Sequence, residues 1–141
     1  MKKITIFLIV LAIIGFIVWL TSASSKVSEE QIVSRFGLHW HPTITMYVKG
    51  QKLEIPSNIG LESNHKPIHT HIEDAQAGVI HLEFQGVVKK SDITLSQFFQ
   101  NWNKEIGSFG SNMKMTVNGI ENTEYGNYVM KENDKIELRF E

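Results

Sequence analysis

The amino-acid sequence predicts an α+β protein, in which an N-terminal signal or transmembrane helix precedes a small mixed β-sheet with one packed helix. Three patterns carry that expectation. An uncharged apolar run opens the chain, several short segments alternate apolar and polar residues, and one later segment repeats apolar residues at helical spacing. The 141 residues suffice for one domain once a targeting segment is set aside. Hydrophobic content of 42% and charged content of 21% are ordinary for a globular chain.

Met1-Lys2-Lys3 is a short positive flank, and Ile4 to Leu20 is an apolar stretch of seventeen residues. As a helix it spans roughly 26 Å, near the lower end of what crosses a bilayer. It is slightly longer than the usual core of a cleaved signal. The expectation is a single-pass anchor over 1–21, with the lysine pair cytoplasmic and the remainder exported. Small residues at Thr21-Ser22-Ala23-Ser24-Ser25 keep the alternative of a cleaved signal and a secreted product.

Residues 22–37 read as a polar linker and a short helix. Ser28-Glu29-Glu30-Gln31 fits a capping box that starts the helix, which runs through Ile32 and Val33 and stops at Gly37. A His-rich α+β domain then occupies 38–141. Ile44, Met46 and Val48 alternate as a strand, Lys49-Gly50-Gln51-Lys52 turns the chain, and Leu53-Glu54-Ile55 returns until Pro56. Asn58 to Pro67 reads as a loop, and His69 to Phe84 as a second hairpin. Thr94-Leu95-Ser96-Gln97 is another capping box. It opens a helix whose Leu95, Phe98, Phe99, Trp102 and Ile106 form one apolar, core-facing stripe. Met113, Met115 and Val117 alternate up to an Asn118-Gly119 turn, and Ile136 to Phe140 is the final strand.

Composition excludes several chemistries. Setting aside Lys2 and Lys3 takes the 14 basic residues to 12 against 15 acidic ones, a net charge of −3. No basic cluster marks a nucleic-acid footprint. With no cysteine, disulfides, thiolate metal sites, thiol catalysis and a lipoprotein anchor all drop out. No serine-nucleophile motif, phosphate-cradling loop or dinucleotide fingerprint occurs.

The six histidines (His39, His41, His65, His69, His71, His81) all lie between positions 39 and 81. If Asp74 to Gly78 is a five-residue hairpin loop, Glu73 faces Val79, His71 faces His81 and His69 faces Glu83. Side chains alternate along a strand, so His69, His71, Glu73, His81 and Glu83 share one face. Ile72, Ile80, Leu82 and Phe84 share the other, towards the core. Opposed positions about 4.5–5.5 Å apart bring imidazoles within reach of one ion. His39-Trp40-His41 is a second His-x-His unit, held extended by Pro42. It either closes over the hairpin or makes its own site. The candidate metal ligands are therefore His69, His71, His81 and Glu83, with His39 and His41 as a further contribution; His65 is the weakest candidate. Imidazole and carboxylate without thiolate suit a divalent transition metal such as Zn²⁺ or Cu²⁺. Met113, Met115 and Met130 are assigned to packing rather than to Cu⁺.

Two resemblances add to this. The ending, Val117-Asn118-Gly119 followed by Glu132 to Leu138, resembles the small β-grasp folds of ubiquitin-like sulfur carriers over about the last fifty residues. Those carriers end in Gly-Gly, whereas this chain ends Arg139-Phe140-Glu141, so only the fold is implied. The exported part resembles an uncharacterised family of exported, membrane-anchored His-rich domains. Its pattern matches His39-x-His41-Pro42, Ile55-Pro56-x-Asn58-Ile59-Gly60, His69-Thr70-His71, Ile80-His81-x-Glu83 and Thr94-Leu95-x-x-Phe98-Phe99-x-x-Trp102. In that family an Asp commonly follows the His-Thr-His. Here Ile72 intervenes before Glu73 and Asp74. This resemblance implies the unit and its histidines, and no activity.

The function expected from sequence is a membrane-anchored, extracytoplasmic domain that binds a divalent transition metal through its histidines, more as a binding module than as an enzyme. One alternative is a metal-dependent hydrolase or lyase with a His₃ site and Glu83 or Glu73 as base. Another is a structural or interaction domain without metal.

Overall fold

The computed structural model describes residues 12–16, 29–62 and 64–141. Alternation in Thr43–Val48 (β3) and Lys135–Phe140 (β10) forms the centre of a five-stranded sheet. The two run parallel, with Ile44 opposite Ile136, Met46 opposite Leu138 and Val48 opposite Phe140. Gln51–Leu53 (β4), Lys114–Val117 (β8) and Ile120–Glu121 (β9) complete it antiparallel, in the order β4-β3-β10-β8-β9. Ile44, Met46, Met115, Val117, Ile136, Leu138 and Phe140 bury one face. On the other, the Arg139 guanidinium lies 4.2 Å from the Tyr47 ring centre. Two-residue turns set both hairpins: Lys49-Gly50 (φ 50° and 79°) and Asn118-Gly119 (φ 54° and 80°). The first turn is short, so β4 starts at Gln51 rather than at Leu53.

The helix α1, Leu95–Asn101, packs Leu95, Phe98 and Phe99 onto the buried face. It is shorter than its apolar stripe, ending at Trp102 before Asn103 turns left-handed at φ 56°. Ile106 falls on a separate 3₁₀ turn, Ile106–Phe109. The Thr94 capping box does not form. Thr94 bridges to Val129 and the Leu95 N–H donates to the Tyr128 carbonyl, so a tertiary partner replaces the side-chain cap. The methionines assigned to packing are indeed core: Met115 and Met130 are buried and Met113 packs against them.

Two further expectations are corrected. Glu29–Gln31 is only a 3₁₀ turn, and Ile32–Ser34 (β1) is a strand paired with Val88–Lys89 (β7). β-branched Ile32 and Val33 yield to a strand partner that local helix signals do not encode. The second hairpin has another register. Ile68–His69 (β5) pairs with His81–Phe84 (β6) so that His69 faces His81 and Ile68 faces Leu82. His71 therefore does not pair with His81, nor His69 with Glu83.

The reason is competition for backbone partners. Thr70 is buried against residues 56–59: its N–H reaches the Ile59 carbonyl, and its hydroxyl donates to the Pro56 carbonyl at 2.8 Å. On the other arm, the Ile80 N–H donates to the Pro42 carbonyl and the Ile44 N–H to that of Gly78. Both arms thus leave each other beyond His69 and His81. Ile72, expected on the core face, is 69% exposed in the resulting loop, while Ile80 and Leu82 are buried as expected.

Residues 12–16 are helical, with Ile13, Ile14 and Phe16 exposed. The rest of the Ile4–Leu20 run and the linker over 22–28 lie outside the described residues. Among the described residues no helix is long and apolar enough to cross a membrane.

Candidate metal centre

Leu38–Trp40 (β2) pairs with the other edge of β6, giving a second sheet in the order β2-β6-β5. His39 stands opposite Glu83 and Trp40 opposite Leu82. Alternation then does what spacing alone suggests. His39, Glu83, His81 and His69 occupy odd positions on three adjacent strands and share a face, while Leu38, Trp40 and Leu82 turn to the core. His41 and His71 continue the two outer strands by one more odd position each. All six expected ligands are brought together. His65 is exposed in its loop, with its ring 5.7 Å from that of His69. Glu73 is exposed.

Ligand atoms of His69, His71, His81 and Glu83 lie within 4.8 Å of one another, and those of His39, His41 and His81 do likewise. His69 is buried. Gly60 lies behind it, where a Cβ would stand 2.6 Å from the Ile68 carbonyl oxygen and 3.4 Å from the His69 Cβ. His69 Nδ1 donates to the Lys66 carbonyl at 2.9 Å, which leaves Nε2 as a lone pair facing His71 Nε2 at 3.1 Å. Burial lowers the His69 pKa below its ordinary 6.5, only partly offset by the Lys66 carbonyl and the Glu83 charge. A neutral imidazole results, the form that binds metal.

His81 is fixed in the complementary way. Its Nε2 donates to Asp74 Oδ2 at 2.9 Å, and its buried Nδ1 has no hydrogen-bond partner among the described residues, standing 3.8 Å from Glu83 Oε1. This arrangement has the character of a carboxylate–histidine–metal relay, in which the outer carboxylate sets the tautomer and raises ligand basicity. On the open side, His39 Nε2 and His41 Nε2 are 3.1 Å apart. The His41 backbone N–H donates to Glu132 at 2.6 Å, and its Nδ1 lies 3.6 Å from the same carboxylate.

Two nitrogens bound to one ion at about 2.0–2.1 Å and at the tetrahedral angle are about 3.3 Å apart. Both 3.1 Å imidazole pairs are close to that bite. The histidine groups are therefore disposed to hold a metal ion.

Asp74, Glu132 and the Lys66 carbonyl were not among the expected site residues. Asp74 is close to His71 in sequence, so a carboxylate just past a His-x-His unit was an available signal. Glu132 is 91 positions from His41, and no local pattern ties them.

Neither family models, nor curated proteins, nor solved structures give a match to this chain.

Proposed function

We propose that this chain is a membrane-anchored, extracytoplasmic domain that binds Zn²⁺ or Cu²⁺ through His69, His71, His81 and Glu83. The observation that carries the reading is that His69 and His81 are held through opposite ring nitrogens, Nδ1 by the Lys66 carbonyl and Nε2 by Asp74. Each ring has one nitrogen occupied by a fixed acceptor and the other directed into the cluster beside Glu83. Three imidazoles and one carboxylate, without thiolate, suit a four-coordinate divalent ion. The apolar N-terminal run supports anchoring, and the lysines before it support export of the domain. The strand order with a parallel central pair supports a β-grasp-like reading of the larger sheet. The motif pattern supports kinship with exported His-rich domains. Buffering, delivery or sensing of metal outside the cytoplasm follows from such a site.

The test is metal analysis of the full chain in detergent, purified without a histidine tag, followed by titration with Zn²⁺ and Cu²⁺. Binding in the micromolar range or tighter is expected, weakened at least tenfold in His71→Ala. Affinities no tighter than millimolar for both ions would end the proposal.

A further inference from the structure

The cluster has more donors, and more negative charge, than one ion uses. Its six ligand residues fall into two overlapping sets. Ring contacts run between them as a chain: His39 to His41 at 4.6 Å, His41 to His81 at 4.9 Å, His81 to His71 at 4.5 Å and His71 to His69 at 4.7 Å. His39 and His69 stand on the two outer strands, with β6 between them. At about 4.7–4.9 Å per strand spacing their backbones are roughly 9.5 Å apart, a wide span for one ion. Each 3.1 Å imidazole pair, by contrast, already matches the bite of an ion of its own.

The two sets share His81, and one carboxylate oxygen also contacts a histidine outside its own set. Glu83 Oε1 is 3.2 Å from His39 Nε2, 3.8 Å from His81 Nδ1 and 4.0 Å from His69 Nε2. His81 is not free to bridge through its second nitrogen, because Asp74 holds Nε2. The bridging role therefore passes to the Glu83 carboxylate. Three carboxylates, Asp74, Glu83 and Glu132, contact these imidazoles, enough to offset most of the charge of two divalent cations.

Resting on the metal-binding reading above, we propose that the centre takes two divalent ions. An inner ion is held by His69, His71, His81 and Glu83. An outer ion is held by His39 and His41, with Glu83 as the shared ligand. The inner position is lined by buried His69, whereas His39 is 63% and Glu83 43% exposed. The outer ion consequently keeps solvent in its coordination sphere, binds more weakly and exchanges faster. Two-ion sites place their metals about 3.5–4 Å apart, a separation one carboxylate spans.

The experiment is Zn²⁺ titration of the full chain by calorimetry, with metal content per chain and molar mass by light scattering. The wild type is expected to take two equivalents as a monomer, the second at least tenfold weaker. The His39→Ala/His41→Ala double variant should retain only the tight one, and His39→Ala alone, at the most exposed ligand, should weaken only the second. Loaded with two equivalents of Cu²⁺, the wild type should give an electron paramagnetic resonance spectrum broadened by dipolar coupling, and the double variant should not. A wild type that stops at one equivalent overturns the second ion. So does a double variant that still takes two, or a second equivalent that appears only with dimerisation. If no ion binds at all, the metal-binding reading fails as well, an outcome distinct from these.

Discussion

Asp74 gives the sharpest access to the site, because it touches His81 without belonging to either set of ligand atoms. Replacing it by Asn removes the charge that keeps the Nε2 proton in place, so Nδ1 becomes a poorer and less firmly oriented donor. Loss of such an outer carboxylate ordinarily lowers metal affinity tenfold to a hundredfold, which is about 1.4 to 2.7 kcal/mol. At an ion concentration a hundred times the wild-type Kd, binding stabilises the wild type by about 2.7 kcal/mol. The same concentration stabilises Asp74→Asn by only about 1.4 kcal/mol, or about 0.4 if affinity falls a hundredfold. For a folded part of just over a hundred residues each kcal/mol moves Tm by roughly 4 °C. The Zn²⁺-induced rise in Tm should thus shrink by half or more. The metal-free Tm should move less than this, because Asp74 is half-buried and the Asn amide oxygen can still accept the His81 Nε2–H. Thermal melts with and without Zn²⁺, paired with chelator-competition titration, measure both effects, and exposed Glu73→Gln is the control. An Asp74→Asn affinity within twofold of wild type would refute the idea that this carboxylate tunes His81.

Two other outcomes follow from the same geometry. Gly78 has φ 74°, and a Cβ there would stand 2.0 Å from the Ile44 carbonyl oxygen, so Gly78→Ala should cost at least about 2 kcal/mol in urea unfolding; a midpoint equal to wild type contradicts this. In the metal-free protein His69 has a lowered pKa, so below its ordinary 6.5 the unfolded chain binds more protons than the folded one. Stability should be full above that pH and fall as pH drops through it, levelling off below the lowered folded value. The slope is at most about 1.4 kcal/mol per pH unit for the one group, and His69→Asn should flatten it; identical slopes in the two proteins count against the burial argument.

Much of the candidate site is legible in the sequence because strand alternation is a local property. The candidate ligands at positions 39, 41, 69, 71, 81 and 83 share a parity, and no slip in pairing moves them to opposite faces of their own strands. The same locality explains the buried alternation of Ile44 and Met46, the Asn118-Gly119 turn and the buried stripe Leu95, Phe98 and Phe99. Partner choice is different, since it depends on which distant backbone groups compete. Thr70 finds residues 56–59 and Ile80 finds Pro42, and this moves the hairpin register and leaves Ile72 exposed. Ile32 and Val33 become a strand only because Val88 and Lys89 lie alongside.

By itself, then, the sequence determined the candidate donors, their shared face and the α+β class, all consequences of short-range periodicity. Only the tertiary structure decided that β2 lies against β6, so that the His39–His41 pair joins the hairpin cluster at Glu83 instead of standing apart. It alone decided that Asp74 and the Lys66 carbonyl engage opposite ring nitrogens of His81 and His69, and that a turn 91 residues away supplies Glu132 to His41. The physical reason is that a ligand's residue type is written where it stands in the chain. Its tautomer, desolvation and neighbours arise from backbone and side-chain groups that only folding brings within hydrogen-bond distance.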